Sequence, residues 1–500
     1  MTDQNTSTQL NRRHWLGGVG ASAAATVLSS AATPAQAATT GGLSGDINTQ
    51  VVVIGGGYSG LASALALKAA GKDVLLLEAR NRPGGRCLNQ NLPAPWGHLS
   101  VEAGAAYLAP TQTRMRELAQ EYGLTLYPTY TTGKLVSHIR GRRSTYSGVI
   151  PTGNLFAAGE AGIALLKLDS LAKQIDPNAP WLHDKAAEYD SQTMQNWMDR
   201  NLISNDAKNL LRLAVLALIS CEPREVSFLF MLLYIRNGES LTTLLGTTGG
   251  AQQDRVVGGS QRIALAMASQ LGSRLIYNTP ARNIEQTPTG IRVSGEGFTV
   301  HAQHAVMAMS PWMAGRVNYD GALEGAMQQR LQLMQRMPMG TIWKTQCVYD
   351  RPFWRDDGLN GQVTSDAFIA KATIDNTPFE AGAPGVMMGF IDGQDAVDAC
   401  LLSQAERKAK VIEAMTAYFG PKAASPIAYL ESNWQAANFS SGGPTSYCGP
   451  GVLTALGPAL RKTTGRLHWA GTETATAWLG YMEGAVRAGE RAAQDVLARL

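Results

Sequence analysis

The chain has 500 residues, 45% hydrophobic and 16% charged, which is too long for one ordinary core and fits a globular protein of two domains. Its formal charge of +4, with no basic run beyond Arg140-Gly141-Arg142-Arg143, argues against a nucleic-acid partner. Cys87, Cys221, Cys347, Cys400 and Cys448 are scattered without framework or ligand spacing. His301 and His304, with no acid or thiol in register, read as surface strand or loop, so no metal is assigned.

In chain order, the first feature is Arg12-Arg13, followed by a weakly apolar Ala/Gly/Ser-rich stretch to about Ala32 and the small residues Ala35-Gln36-Ala37. This is the anatomy of a twin-arginine export signal over residues 1–37. The stretch is too rich in small residues for a strong membrane helix, and no other segment reads as spanning a membrane. The expectation is a periplasmic protein without a membrane anchor, exported folded with its cofactor already loaded.

Val51-Val52-Val53-Ile54 is a continuous apolar run, as expected of a strand buried on both faces. Gly55-Gly56-Gly57-Tyr58-Ser59-Gly60 follows, then a helix pattern from Leu61 to Ala70, then a second strand from Asp73 to Leu77 that ends at Glu78. A Gly-x-Gly-x-x-Gly run between strand and helix, with an acid 18 residues after its last glycine (60 to 78), is a dinucleotide fingerprint. Gly55 permits the tight turn, Gly57 lets a pyrophosphate approach the backbone, and Gly60 lets the helix pack on the sheet. The helix start, Ser59 included, offers amides to phosphate, and Glu78 would accept from the adenosine ribose hydroxyls.

Glu78-Ala79-Arg80 and Pro83-Gly84-Gly85-Arg86 resemble the extended fingerprint of the flavin amine oxidase superfamily, which implies FAD, with Arg80 and Arg86 beside the adenosine and pyrophosphate. From there the sequence resembles the flavin-dependent monoamine oxidase family over about residues 48 to 500. Val101 to Tyr107, with Gly104, resembles its second glycine motif, although Ala105 stands where a paired glycine is usual. Arg255-Val256-Val257-Gly258-Gly259 resembles the re-entry into the flavin domain, Ala281 falls at a backbone contact to adenine, and Trp434 resembles the tryptophan beside the flavin. Ala470 to Ala475, with Glu473, and Trp478 to Ala485 form the most specific stretch. It opens a helix from Met482 to Leu497 whose N-terminus would face the flavin.

The resemblance implies an α/β fold: a Rossmann-like FAD-binding domain (46–126, 257–333 and 437–500) interleaved with an α+β substrate domain (127–256 and 334–436). The pocket is expected where they meet. Lys344, on a strand-like run from Thr341 to Tyr349, matches the lysine that reaches the flavin N5 through water. Ile342, Lys344, Gln346 and Val348 would share one face. Tyr481 matches one wall of an aromatic cage that admits the neutral amine. Pro444 stands at the position of the covalent flavin cysteine and Thr445 at the second cage aromatic, so the FAD is expected to be non-covalent and the cage incomplete. Tyr447 is either a substitute or a packed loop tyrosine.

Leu218, Leu245, Gln252, Phe390 and Thr445 complete the implied substrate-binding positions, and Ala372 stands where an aromatic gate is frequent. This implies oxidation of a primary or secondary amine to an imine that hydrolyses to aldehyde or ketone, alkaloid-type amines such as nicotine or pseudooxynicotine included. The acceptor would be dioxygen or a periplasmic electron carrier. A homodimer is compatible with the chain and not demanded by it. An L-amino-acid oxidase or flavin desaturase on the same fold, or a non-catalytic FAD-binding protein, remains as the alternative; no arginine stands in position for a substrate carboxylate.

Overall fold

The computed structural model describes residues 42–151, 153–320 and 325–500. The export signal expected over residues 1–37 lies outside them. The apolar run starting at Val51 belongs to a longer strand, Gly45–Ile54, paired in parallel with Val74–Leu77 on one side and Phe298–Met307 on the other. Val51, Val52 and Val53 have no exposed surface. Burial on both faces is what a central parallel strand requires, which is why these residues are apolar without alternation.

The sheet around them is eight-stranded. Its order is Asn318–Asp320, Asn283–Gln286, Ile291–Gly295, Phe298–Met307, Gly45–Ile54, Val74–Leu77 and Leu275–Ile276, with Leu467–Trp469 pairing farther along Phe298–Met307. Helix Tyr58–Ala69 packs on it beside helices Gln261–Leu271 and Met482–Leu497. A Cβ on Gly489 would come within 2.0 Å of the Ser59 carbonyl oxygen, so the last helix crosses the first at a distance only glycine allows. This crossing sets the C-terminal helix against the Gly-rich turn.

A second, seven-stranded sheet runs Ala428–Asn433, Ile342–Tyr349, Gly385–Asp392, Ala372–Asp375, Leu359–Ser365, Lys134–Ile139 and Arg142–Tyr146. Its strands come from residues 134–146 and 342–433, and those of the first sheet from 45–77, 275–320 and 467–469. The chain passes between the two at a short ribbon pairing Leu126–Pro128 with Asp254–Val256. Trp343, Cys347 and Tyr349 face helix Gln404–Phe419 in one core. The alternate residues must then face the other way, and Lys344 and Gln346 reach the Gly104 and Glu102 carbonyls of the dinucleotide lobe.

Four helices, Leu155–Ala172, Met194–Asn201, Asn205–Ile219 and Phe228–Asn237, close the remaining side over a separate apolar core. Asn154, Thr193, Ser204 and Ser227 each accept a backbone N–H at the start of one of them, so local polar residues set where each begins. The lobes are also joined by an ion pair, Arg255 to Glu102 at 2.6 Å, both almost fully buried. Arg255 also donates to the Thr377 and Asn376 carbonyls. The histidines expected on a surface stretch divide: His301 is partly exposed, whereas His304 is buried and pairs with His468 at 3.1 Å. Strand alternation separates them, because residues three apart on Phe298–Met307 face opposite sides.

Candidate active site

One cavity of about 820 Å³ runs from the Gly-rich turn, past Lys344, to the helices of the second lobe. At its dinucleotide end Gly55 has φ +109°, and a Cβ there would meet the Ala308 carbonyl oxygen at 2.7 Å. Gly57 has the opposite environment. A Cβ on it would meet only Gly85 Cα, at 3.8 Å, and both glycines line the cavity. Gly60 does not line the cavity; a Cβ on it would lie 1.8 Å from the Gly55 carbonyl oxygen, so only glycine lets the helix start this close to the turn. Ser59 accepts the Gly471 N–H at 2.7 Å and so joins the turn to the C-terminal segment.

Glu78 is buried, and each carboxylate oxygen accepts one backbone N–H: Oε2 from Gly56 at 2.6 Å and Oε1 from Arg80 at 2.8 Å. Burial pushes its carboxyl above the ordinary range, opposed by these two N–H groups and the Arg80 charge. Arg80 donates to the Asn438 carbonyl and to Ser440 Oγ and lies over the Phe439 ring. Arg86 donates to the Pro444 carbonyl at 2.7 Å and pairs with Glu473 at 2.6 Å. Glu473 is fully buried behind Arg86 and orients that guanidinium rather than lining the cavity. Gly85, Ala281, Trp434 and Met482 all line it, and Trp434 Nε1 donates to the Ala103 carbonyl at 2.8 Å.

Lys344 is 7% exposed, on the cavity wall, with its ammonium donating to the Gly104 carbonyl and lying 5.3 Å from the Phe390 ring centroid. Burial pulls its pKa down to about 8. Tyr481 lines the same cavity, edge-on to Trp478 at 5.0 Å between ring centroids, and burial pushes its phenol to about 12. Leu218, Leu245, Gln252, Phe390 and Ala372 also line the cavity. Gln252 donates to the Leu244 carbonyl, while its Oε1 is buried without a partner among the described residues, an energetic cost that an entering N–H donor would remove.

Thr445 does not line the cavity. It is fully buried behind Gly480, bonded to the Ser446 carbonyl and at the limit of reach of Glu473. Tyr447 packs in the helical core, away from the cavity. The aromatic neighbour that sequence comparison missed is Tyr234, from helix Phe228–Asn237, whose ring centroid lies 6.3 Å from that of Tyr481. Its hydroxyl donates to the Leu218 carbonyl at 3.1 Å, and a Cβ on Gly480 would lie 3.3 Å from its ring. Nothing in its local sequence, an apolar helix run, separates it from ordinary core.

A family model described as flavin containing amine oxidoreductase matches residues 58–497. The chain is 36% identical over 453 residues to a probable flavin-containing monoamine oxidase A of Dictyostelium discoideum, covering 90% of this chain and 98% of that one. It is 34% identical to the flavin-containing amine oxidase B of Homo sapiens, over 89% and 86% of the two chains. This chain belongs to the flavin-containing amine oxidoreductases. Its fold matches a putrescine oxidase bound to putrescine at a TM-score of 0.85, with 29% identity, over 91% of this chain and 100% of that one. It matches the cyclohexylamine oxidase of Brevibacterium oxydans IH-35A at a TM-score of 0.85, with 31% identity, over 90% and 99%.

This amine oxidoreductase is therefore FAD-dependent, and its residues fit the cofactor. Gly57 and Gly85 both line the cavity without side chains, which lets a pyrophosphate approach the backbone there. Glu78 keeps lone pairs on both oxygens for ribose hydroxyls. The Ala281 N–H and C=O make no backbone hydrogen bond among the described residues, which leaves them for an adenine edge. Glu78→Ala should weaken FAD binding by about 1.5–3 kcal/mol, the value of a hydrogen bond to a charged group. Fluorescence titration of the apoprotein measures this, and an unchanged dissociation constant would assign the ribose to another residue.

Proposed function

We propose that this oxidoreductase oxidises a primary or secondary amine with an apolar body, holds its FAD non-covalently, and works in the periplasm after twin-arginine export. The observation that carries the first part is a buried lysine and a pair of tyrosines on one largely apolar cavity. When bound, the isoalloxazine accepts the hydride equivalent from the carbon beside nitrogen. The chain supplies the rest. Tyr481 and Tyr234 offer an aromatic wall that favours the neutral amine, Gln252 an acceptor for its N–H, and Lys344 an ammonium on the cavity wall, held by the Gly104 carbonyl. The imine leaves and hydrolyses to aldehyde or ketone, with dioxygen as the acceptor that restores the cofactor.

The putrescine and cyclohexylamine oxidases to which the chain is similar support a small aliphatic or alicyclic amine, and the apolar lining also admits the heteroaromatic body of an alkaloid amine such as nicotine or pseudooxynicotine. An amino-acid substrate is disfavoured. The arginines on the cavity wall, Arg80, Arg86, Arg282 and Arg316, belong to the dinucleotide lobe, while the wall beyond Lys344 carries Asp392, which would repel a carboxylate. Anaerobic mixing with an amine panel should bleach the yellow flavin, and an L-amino-acid panel should not; bleaching by the amino acids alone would reverse the assignment.

Non-covalent attachment rests on two residues. Pro444 brings no thiol to the cavity, and Cys87, the cysteine on its wall, is held protonated by burial, with its pKa pushed up to about 12. A protonated thiol is a poor nucleophile. Acid precipitation should release all flavin into the supernatant; yellow colour in the pellet would establish a covalent bond. For export, Arg12→Lys with Arg13→Lys should leave the protein in the cytoplasmic fraction, and periplasmic recovery of that variant would refute the twin-arginine route.

A further inference from the structure

Strand Gly385–Asp392 runs antiparallel to Ile342–Tyr349, with Phe390 opposite Lys344 and Asp392 opposite Ile342. All four residues line the cavity. Two residues along a strand is about 6.5–7 Å, so a carboxylate stands one side-chain position beyond the lysine, on the same wall. It is 4% exposed. Oδ1 accepts from Ser220 Oγ at 2.7 Å, while Oδ2 accepts no hydrogen bond among the described residues.

The cations around Asp392 are already engaged. Lys371, also on the cavity wall, is paired with Asp395, and Arg212 makes two bonds to Glu222, at 2.7 Å each. Lys344 donates to the Gly104 carbonyl. Burial raises the Asp392 carboxyl to about 7, and the Ser220 hydroxyl and the Lys371 and Lys344 charges oppose this only in part. A buried carboxylate with one oxygen free is costly unless a partner arrives, and a cation entering the cavity is such a partner.

We propose that Asp392 is a second polar subsite that binds the distal ammonium of a diamine, so that short α,ω-diamines are the preferred substrates over monoamines of equal length. This rests on the amine-oxidation reading. The neutral nitrogen sits at the Lys344 end, where its carbon is oxidised, and the charged nitrogen pairs with Oδ2 of Asp392. Phe390, between Lys344 and Asp392 on the wall, lies along the connecting methylenes. The spacing selects chain length, because a diamine too short or too long cannot engage both ends.

The test is anaerobic stopped-flow reduction of the holoenzyme by diamines of three to six carbons and by the matched n-alkylamines. In the parent, at least one diamine should show an apparent Kd tenfold or more below that of its monoamine. Asp392→Asn and Asp392→Leu, each checked for parental FAD stoichiometry, should lower that ratio at least tenfold; the leucine variant removes a buried charge and so protects against loss of the fold. Parent enzyme that binds every monoamine as well as its diamine would overturn the subsite and leave amine oxidation standing. So would a ratio unchanged in both variants. Failure of every amine to bleach the flavin would overturn amine oxidation and the subsite together.

Discussion

Lys344→Met should slow reduction of the flavin by amine on the order of 10²–10³-fold, the usual cost of removing one preorganised polar group from a reacting centre. FAD content and the circular dichroism spectrum should not change. Methionine matches the length of the lysine stem, and the cavity wall around it, Phe390 and Ile342, is apolar enough to receive it. What disappears is the ammonium held by the Gly104 carbonyl.

That group also sets a pH dependence. Its pKa of about 8 makes it cationic below that pH and neutral above it. The cation's field favours electron density leaving the amine, so the reduction rate, corrected for the fraction of neutral amine, should fall as pH rises through about 8. The Lys344→Met profile should lack that fall. Stopped-flow reduction across pH 6 to 10 measures both effects. Equal rates for parent and variant in reduction and in reoxidation would leave Lys344 with a packing role alone.

Tyr481→Ala should lower kcat/KM by about 10³-fold. Misplacement of the reacting carbon by about an ångström costs about 10²-fold, and the lost apolar wall adds about 1.5–3 kcal/mol of binding. Both KM and the limiting reduction rate should worsen. Raising the pH should recover part of the loss, because more of the amine is then neutral without help from the wall. Tyr481→Phe should restore most of the activity, since the ring rather than the hydroxyl forms the wall. Tyr234→Ala should act in the same direction but less strongly, because Tyr234 stands beside Tyr481 with its hydroxyl committed to the Leu218 carbonyl.

Thr445 provides the contrast. Being buried behind Gly480, Thr445→Ala should change kcat/KM by less than about threefold, whereas Thr445→Tyr should be destabilised by overpacking of about 1–3 kcal/mol. Thermal melts beside steady-state kinetics separate these effects. A Tyr481→Ala enzyme as fast as the parent, with Thr445 variants inactive, would move the amine to the other side of the cavity.

The dinucleotide site was legible because its chemistry is local. Gly55, Gly57 and Gly60 act through backbone geometry within one strand–turn–helix unit, where sterics dictate the residue type, and Glu78, at the end of the next strand, acts through a carboxylate that binds the Gly56 N–H of that turn. The face shared by Ile342, Lys344, Gln346 and Val348 was legible for the same reason, since strand alternation needs no tertiary information. The apolar neighbours of Lys344 on the strand favour its burial but do not complete it. That burial also depends on the Gly104 carbonyl, 240 residues away, arriving over the strand.

The remaining features of the cavity were likewise decided by tertiary structure. Thr445 left the wall because the turn at Gly480 passes in front of it, and Tyr234 took a place there because helix Phe228–Asn237 packs its ring against that glycine. Glu473 became the partner of Arg86 across 387 residues of chain. Asp392 gained its significance only when strand register set it opposite Ile342 and beside Ser220. By itself the sequence determined the cofactor unit, the family and the strand that carries the lysine, because short-range sterics and periodicity encode them. Which aromatic ring, carboxylate and carbonyl share the cavity was decided only by the packing of distant segments, since a side chain's role there depends on neighbours that no local pattern specifies.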